Sequence, residues 1–342
     1  MLVDKHQVAG FPRLVADIGG SNARFGWLAS ADKQVEHIRK SPVVDHTALA
    51  LAVRDYLADL STHLGNAYRA PRCAAFAVAA TVNGDQVDLT NSGWRFSRAS
   101  LQTELALDDL LVINDFEALA LSLPRLQASQ LRVHQGSIPI PNGIMAVIGP
   151  GTGLGVAGVV ETRYGWVVLP SEGGHATLSA ADDFESELLA SMRRKYSHVS
   201  AERLLSGIGL PLLHATITEI VGAVSHSIHP HYLTAEQIIK RGLDGTDAIC
   251  SQTLDVFCAQ LGSFAGNVAL TLGARGGVYI GGGIVPRLGD RFFTSRFRER
   301  FESKGRFQDY LKQIPTVVIT DTLAALTGAA MAIEQHCELA QV

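Results

Sequence analysis

The residues with the clearest chemistry are two glycine–hydroxyl turns, Asp17-Ile-Gly-Gly-Ser21 and Gly149-Pro-Gly-Thr-Gly153, each set between β-like runs. A turn of this kind leaves backbone N–H groups unpaired and adds a hydroxyl, which together suit a phosphate. Two of them point to a duplicated fold that grips a polyphosphate from both sides. Neither is a Walker loop, because no Gly-Lys-Ser/Thr follows. The second also lacks the strand–turn–helix setting of a dinucleotide fingerprint. Asp17 ends its strand just before the first turn. It either holds Mg²⁺ through water, an ion that prefers oxygen ligands, or hydrogen-bonds the turn; a second phosphate-type turn favours the metal role. Thr152 can aim its hydroxyl and N–H at a β- or γ-phosphate, although the alternation of Gly149, Gly151, Gly153 and Gly155 also reads as a glycine-rich bulge.

Asp115 stands where a buried strand stops and a helix begins. It is either that helix's N-cap or a general base that accepts the proton of a hydroxyl attacking a γ-phosphoryl group. Strand ends of α/β folds point side chains at ligands, and Asn114 beside it could orient the same hydroxyl. In Ser171-Glu-Gly-Gly-His175, Glu172 and His175 flank two glycines, so both can converge on one small polar ligand. A glutamate accepts from two adjacent hydroxyls and a histidine adds one more contact, which is sugar-recognition chemistry. An exposed turn or a lone metal-binding histidine is the plainer alternative. Glu202 reads as a solvated helix residue. Gly276 to Gly283 is a strand between glycine clusters, which admits either a planar base sliding against backbone or close structural packing.

These residues must be held by a regular framework. Residues 13–18 and 24–29 read as a hairpin, with a third strand near 35–41. Apolar residues at helical spacing predict a helix over 47–60. Residues 72–80 form a small-apolar run typical of a strand covered on both faces, and 110–113 is a short buried strand. FEALALSL follows as a helix stopped by Pro124. After a Pro/Gly stretch at 136–143, strands are predicted at 144–149, 154–160 and 164–169. Helices follow at 183–196, 201–205, 234–241 and 250–273. A strand at 277–280, a short helix, a strand at 316–320 and a helix at 322–335 close the chain. Each half opens with a β-meander and continues with alternating helices and strands, so the class is α/β or α+β in two lobes.

With 342 residues the chain exceeds what one core usually serves. A net charge of −4 without a basic block excludes nucleic acid as an expected partner. Four scattered cysteines with no C-x-x-C pair argue against a zinc site or a disulfide framework and fit a reducing cytosol. The start MLVDKHQVAGFP lacks a signal peptide's apolar stretch. Two uncharged runs, 143–160 and 256–274, are long enough to suggest membrane spans. The first carries glycines and Pro150 and reads as two strands around a loop. The second carries Gln260, Ser263 and Asn267 and reads as a buried helix between the lobes.

Taken together, the chain resembles the bacterial ATP-dependent glucokinases of the hexokinase–actin–heat-shock-protein ATPase group. The resemblance rests on ADIGGSNAR at 16–24, LTNSGWRFS at 89–97, INDFEALA at 113–120, GPGTGLGVA at 149–157, LPSEGGHATLSA at 169–180, HVSAERLLSGIGL at 198–210, GGVYIGGGIVPRL at 276–288 and KGRF at 304–307. It implies an α/β protein of two lobes of duplicated ribonuclease-H-like (actin-like ATPase) fold with a cleft between them. The small lobe would be 1–125, completed by a C-terminal helix at about 322–338, and the large lobe 126–321. It implies Asp115 as catalytic base, Asn114 as a glucose ligand, and Glu172, His175 and Glu202 as ligands of sugar hydroxyls. Ala16, Asp17, Ile18, Gly19, Gly20 and Ser21 would form the first phosphate segment and Gly151, Thr152 and Gly153 the second, with Gly281 and Gly282 bordering the adenosine. ATP and Mg²⁺ are the implied cofactors, D-glucose the acceptor, and a cytoplasmic homodimer without nucleic-acid or membrane partners the implied form. Ser21 stands where threonine is usual, Pro150 replaces a small residue, and DTLAALTGAA at 321–330 lacks the relatives' Asn-Pro-Gly pattern. A kinase for another hexose and a sugar-sensing regulator are the competing readings. The lack of cysteine between Cys73 and Cys250 weighs against a zinc-motif relative. The 12 residues before the first strand weigh against a DNA-binding helix-turn-helix.

Overall fold

The structure, a computed structural model, describes residues 10–31, 33–89, 93–135, 143–222 and 233–339. Most of the Pro/Gly stretch at 136–143, and residues 90–92 of the LTNSGWRFS motif, lie outside the described residues. The chain divides into two compact units, one running to Leu126 and resuming at Thr322, the other spanning Gln127–Asp321.

In the first unit β1 (Arg13–Ile18) and β2 (Asn22–Leu28) pair antiparallel around the first glycine turn, and β3 (Glu36–Pro42) pairs antiparallel with β2. Helix α1 (Leu49–Leu64) then returns the chain so that β4 (Cys73–Val78) lies parallel to β1. A small hairpin of β5 (Gln86–Asp88) and β6 (Arg95–Ser97) leads through α2 (Arg98–Glu104) to β7 (Asp109–Asn114), parallel to β4, and straight into α3 (Asp115–Ser122). The sheet order is β3-β2-β1-β4-β7. Strand alternation assigns the two faces. Leu14, Ala16 and Ile18 of β1 share a core with Phe25, Phe76 and the α1 residues Val53, Tyr56 and Leu60. Val15 instead packs with Ala75, Ala77, Ala118 of α3 and the C-terminal helix residues Leu326, Ala329 and Ile333. Covered on both faces, β4 is buried throughout, which is why it reads as an unbroken small-apolar run. Full burial of Phe25 or Phe76 contributes about 2 kcal/mol each.

The second unit repeats the plan. After the edge strand β8 (Leu131–Gln135), β9 (Met145–Pro150), β10 (Leu154–Thr162) and β11 (Gly165–Ser171) form an antiparallel meander around the second glycine turn. Helices α4 (Asp183–Lys195), α5 (Gly209–Ile220), α6 (Ala235–Leu243) and α7 (Ala248–Leu272) come before β12 (Gly277–Ile280), which is parallel to β9. Short helices α8 (Ile284–Leu288), α9 (Asp290–Thr294), α10 (Phe297–Glu302) and α11 (Gln308–Gln313) precede β13 (Thr316–Ile319), parallel to β12, and α12 (Ala324–Leu339) returns to the first unit. The order β11-β10-β9-β12-β13 matches the first sheet strand for strand, with β8 added antiparallel at the edge. Two sheets with the same order and sense are a duplicated ribonuclease-H-like plan.

Two expectations need correction. Residues 201–205 are not a helix but a turn. The amides of Ala201 and Glu202 donate to the carbonyls of Ala176 and Gly174, those of Leu204 and Leu205 close a single turn on Ala201, and those of Gly207 and Ile208 go to Gly151 and Thr152, so the turn is not continued as a helix. The apolar helix α7 does not lie between the units but in the core of the second. Leu254, Phe257, Cys258, Leu261 and Ala265 pack there with residues of α4, α5 and α10. Among the described residues no helix is long and apolar enough to cross a membrane.

Candidate active site

In the first unit the chemistry collects at the carboxyl ends of the three parallel strands. The register aligns Asp17 with Ala77 and Ile113, and Ile18 with Val78 and Asn114. Asp17 has the same strand parity as Val15 and so faces the side of the sheet that α3 covers. Asp115 is the first residue of α3. The two carboxylates therefore share one side of the sheet, although the chain separates them widely. The N-cap of α3 is Asn114, not Asp115. Its Oδ1 accepts from Phe116 N–H at 2.8 Å while its Nδ2 donates to the Ala80 carbonyl at 3.1 Å. Asp115 Oδ1 also receives Phe116 N–H, at 3.0 Å.

The electrostatics follow from this placement. Burial, then the nearby charge of Asp17, push the Asp115 carboxyl up to about 7. Burial also raises Asp17, against the opposing pull of Arg24, whose guanidinium lies 2.9 Å from Oδ2 on the directly opposed residue of β2. No one-dimensional signal marks Arg24 as the partner of Asp17; only the hairpin register does. In the turn itself Gly19 N–H closes on the Asn22 carbonyl at 3.0 Å and Ser21 is exposed. The side chains of Ala16 and Ile18 are fully buried, so these two residues can offer a ligand only backbone.

The second unit builds its site from three glycine-containing segments. Gly207 N–H donates to the Gly151 carbonyl at 2.8 Å and Ile208 N–H to the Thr152 carbonyl at 3.4 Å, which fastens the second phosphate-type turn to the start of α5. Gly281 N–H donates to the Ile148 carbonyl at 2.8 Å. Gly282 has φ +76°, and a Cβ there would strike the Pro150 carbonyl oxygen, so only glycine fits. The segment from Ser171 to His175 is joined to the turn at 201–205 by Glu202 N–H to the Gly174 carbonyl at 2.8 Å and by a bridge between Thr177 and Ser200. Glu202 Oε2 accepts Leu154 N–H at 2.9 Å, and Glu202 Oε1 lies 3.9 Å from His175 Nδ1.

These segments border an open cavity of about 530 Å³ lined by Thr152, His175, Glu202, Tyr196, Ser206 and Ile208, among others. That volume suits a small ligand. Thr152, His175 and Glu202, singled out separately in the sequence, therefore meet in one cavity, whereas Glu172 is exposed and not part of its lining. Sequence reasoning missed Tyr196 and Arg203, whose guanidinium carbon lies 4.4 Å from the Tyr196 ring centroid. It also missed Pro211 and Leu212 on α5. The segment HVSAERLLSGIGL carried the only available signal for this wall.

A duplicated ribonuclease-H-like plan, with a glycine turn at the head of each sheet and a half-buried carboxylate at a strand end, defines a kinase of the actin-like ATPase fold. The family model described as Glucokinase matches residues 14–336. Relatives named glucokinase include one from Aromatoleum aromaticum, 48% identical over 324 residues and 95% of each chain. Another, from Neisseria meningitidis, is 45% identical over 328 residues and 96% of each chain. Among solved structures, a glucokinase from an Antarctic psychrotroph is 39% identical with a TM-score of 0.84, covering 94% of this chain and 98% of that one. The glucokinase from Balamuthia mandrillaris shares the fold with a TM-score of 0.73 at 20% identity, covering 94% of this chain and 92% of that one. The chain belongs to the glucokinase family and is an enzyme that phosphorylates glucose.

Proposed function

We propose that the enzyme transfers the γ-phosphoryl group of ATP to the 6-hydroxyl of D-glucose, giving ADP and glucose 6-phosphate, with Asp115 as the general base. The sugar's 6-oxygen forms the new bond to phosphorus as the bond from phosphorus to the β–γ bridging oxygen breaks, and the hydroxyl proton passes to Asp115. Asn114 is assigned to the same sugar, and Glu172, His175 and Glu202 to its other hydroxyls. The segments Ala16–Ser21 and Gly151–Gly153 are assigned to the phosphates, and Gly281 and Gly282 to the adenosine. One observation carries the reading: Asp115 is half-buried at a strand end, with its carboxyl raised to the pH at which a base serves best. The donor is supported by a relative of the same fold, the glucokinase from Streptomyces griseus, solved with glucose and AMPPNP. A glucose-dependent ADP-release assay over a panel of donors and hexoses tests it. Glucose binding without ADP release would favour a sensor instead.

The donor set fits Mg²⁺. Burial raises both the Asp17 and Asp115 carboxyls, and the charge of Asp17 raises Asp115 further, so both gain from a divalent cation. Asp17 would hold the ion through water, and when bound it would neutralise phosphate charge. A homodimer in the cytoplasm is the form the family resemblance implies, and light scattering checks the dimer.

Two outcomes follow. Removing the Asp17 charge removes one cause of the raised Asp115 carboxyl, so Asp17→Asn should move the acid limb of kcat/KM below the wild-type position near pH 7, whatever its effect on the maximum rate. An unmoved limb would refute the coupling. At Gly153 an added Cβ would meet Glu202 Oε2, the movable end of a side chain. Gly153→Ala should therefore displace that carboxylate from Leu154 N–H and raise KM for glucose about tenfold. Its stability should change by less than about 1 kcal/mol. An unchanged KM would remove Glu202 from the sugar site.

A further inference from the structure

Away from the residues assigned to phosphate and sugar, α5 and the start of α7 bring together His214, Asp247 and Cys250. One potential ligand atom from each lies within 4.8 Å of the others. Local geometry accounts for part of this cluster. Asp247 is the N-cap of α7, its Oδ1 accepting Ile249 N–H at 2.9 Å and Cys250 N–H at 3.0 Å. That capping role explains the carboxylate, but not the imidazole directed at it from another helix. His214 Nε2 is buried and has no hydrogen-bond partner among the described residues. Cys250 is fully buried in the apolar core of the second unit, yet its thiol lies against the Asp247 carboxylate. A buried imidazole nitrogen without a partner is costly, and a cation bound by all three groups would satisfy it.

Against the expectation from cysteine spacing, which sees only cysteine pairs, we propose that His214, Asp247 and Cys250 form a binding site for a thiolate-preferring divalent transition metal of the zinc class, which staples α5 to the start of α7. Nitrogen, sulfur and carboxylate donors are the set such ions take, usually four-coordinate. Three protein ligands leave the fourth position to water or another small ligand. The charges balance, since a divalent cation meets one carboxylate and one thiolate. The field of Arg241, which reaches both His214 and Cys250, opposes the cation but favours the thiolate. His214 lies two residues beyond Leu212, which lines the cavity in the same unit. The metal would thus fix the helix that forms that wall.

Titration of the metal-free full-length protein with Co²⁺ tests the site. The expected result is a thiolate-to-cobalt absorption band in the near ultraviolet that saturates at about one equivalent, is displaced by Zn²⁺ and is untouched by Mg²⁺. Cys250→Ser should abolish the band, His214→Gln should weaken binding at least tenfold (about the lower end of losses for ligand-shell changes), and Cys258→Ser should leave it intact. No thiolate band in the wild type, or a band that survives Cys250→Ser, overturns the proposal. If Cys250→Ser does not fold, unchanged Co²⁺ affinity in His214→Gln, whose position is only half-buried, overturns it equally.

Discussion

If Asp115 is the base proposed above, Asp115→Asn is expected to lose about 10²–10⁴-fold in turnover while still binding glucose, because it removes the proton acceptor and almost nothing else. The shape of the side chain is kept. An asparagine oxygen can still accept Phe116 N–H, which Asn114 Oδ1 also holds, so α3 should begin as before. The same substitution has an opposite effect on stability. An unfolded aspartate titrates near ~3.9, whereas Asp115 in the fold is raised to about 7. Between those values the native state binds more protons than the unfolded one, so this carboxyl's contribution is fully present below about pH 4 and lost as pH rises through 7. At pH 8 the wild type must hold a charged carboxylate out of water and beside Asp17. Asp115→Asn does not, and should be more stable there by about 2 kcal/mol, a figure reduced from the full shift for partial exposure. At pH 4 the two should unfold together. Steady-state kinetics with denaturant melts at both pH values check this. Near-wild-type turnover removes Asp115 from the chemistry, and equal stability at pH 8 removes the burial that is held to raise it.

Much of the framework could be read from periodicity and glycine punctuation. β1, β2, β9 and β10 show themselves because apolar runs stop at glycines, and β4 because a strand covered on both faces admits only apolar residues. α7 is legible as a helix but not in its location, since an all-round apolar helix does not say which core it fills. Helix α5 was missed because Gly209-Leu-Pro211 looks like a turn, although proline is tolerated in a helix's first turn. The segment 201–205 reads as a helix because it does close one local turn; what stops it is the pairing of the Gly207 and Ile208 amides with Gly151 and Thr152, which local spacing cannot reveal. The site shows the same divide. Asp115, Thr152, His175 and Glu202 stand out by type and setting. The pairing of Asp17 with Arg24 and its coupling to Asp115 depend on strand register, and the cavity wall of Tyr196 and Ile208 depends on how loops fold back.

Gly174→Ala should damage binding and folding together, far more severely than Gly153→Ala in the same site. A Cβ at this position would sit inside the contact distance of the Leu154 carbonyl oxygen, with the Leu154 carbonyl carbon at 3.0 Å. The obstacle is strand backbone, not a side chain that can swing aside, because Leu154 is paired with Pro150 of β9. The segment carrying Glu172 and His175 must therefore move. Gly174 also gives its carbonyl to Glu202 N–H at 2.8 Å, so the shift passes to Glu202, whose Oε2 is tied to Leu154 N–H. One methyl group thus displaces His175 and Glu202 at once. Overpacking of this kind destabilises by about 1–3 kcal/mol, and misplacing a positioning group by about an ångström can lose 10²-fold in kcat/KM. The contrast with Gly153→Ala is what makes the comparison informative, since there the same added methyl meets only the end of Glu202 and should spare the fold. Glucose titration, kcat/KM and melting temperature measured on both variants distinguish the two cases. A Gly174→Ala enzyme with wild-type stability and glucose affinity would mean that this segment is neither rigidly seated nor part of the sugar site.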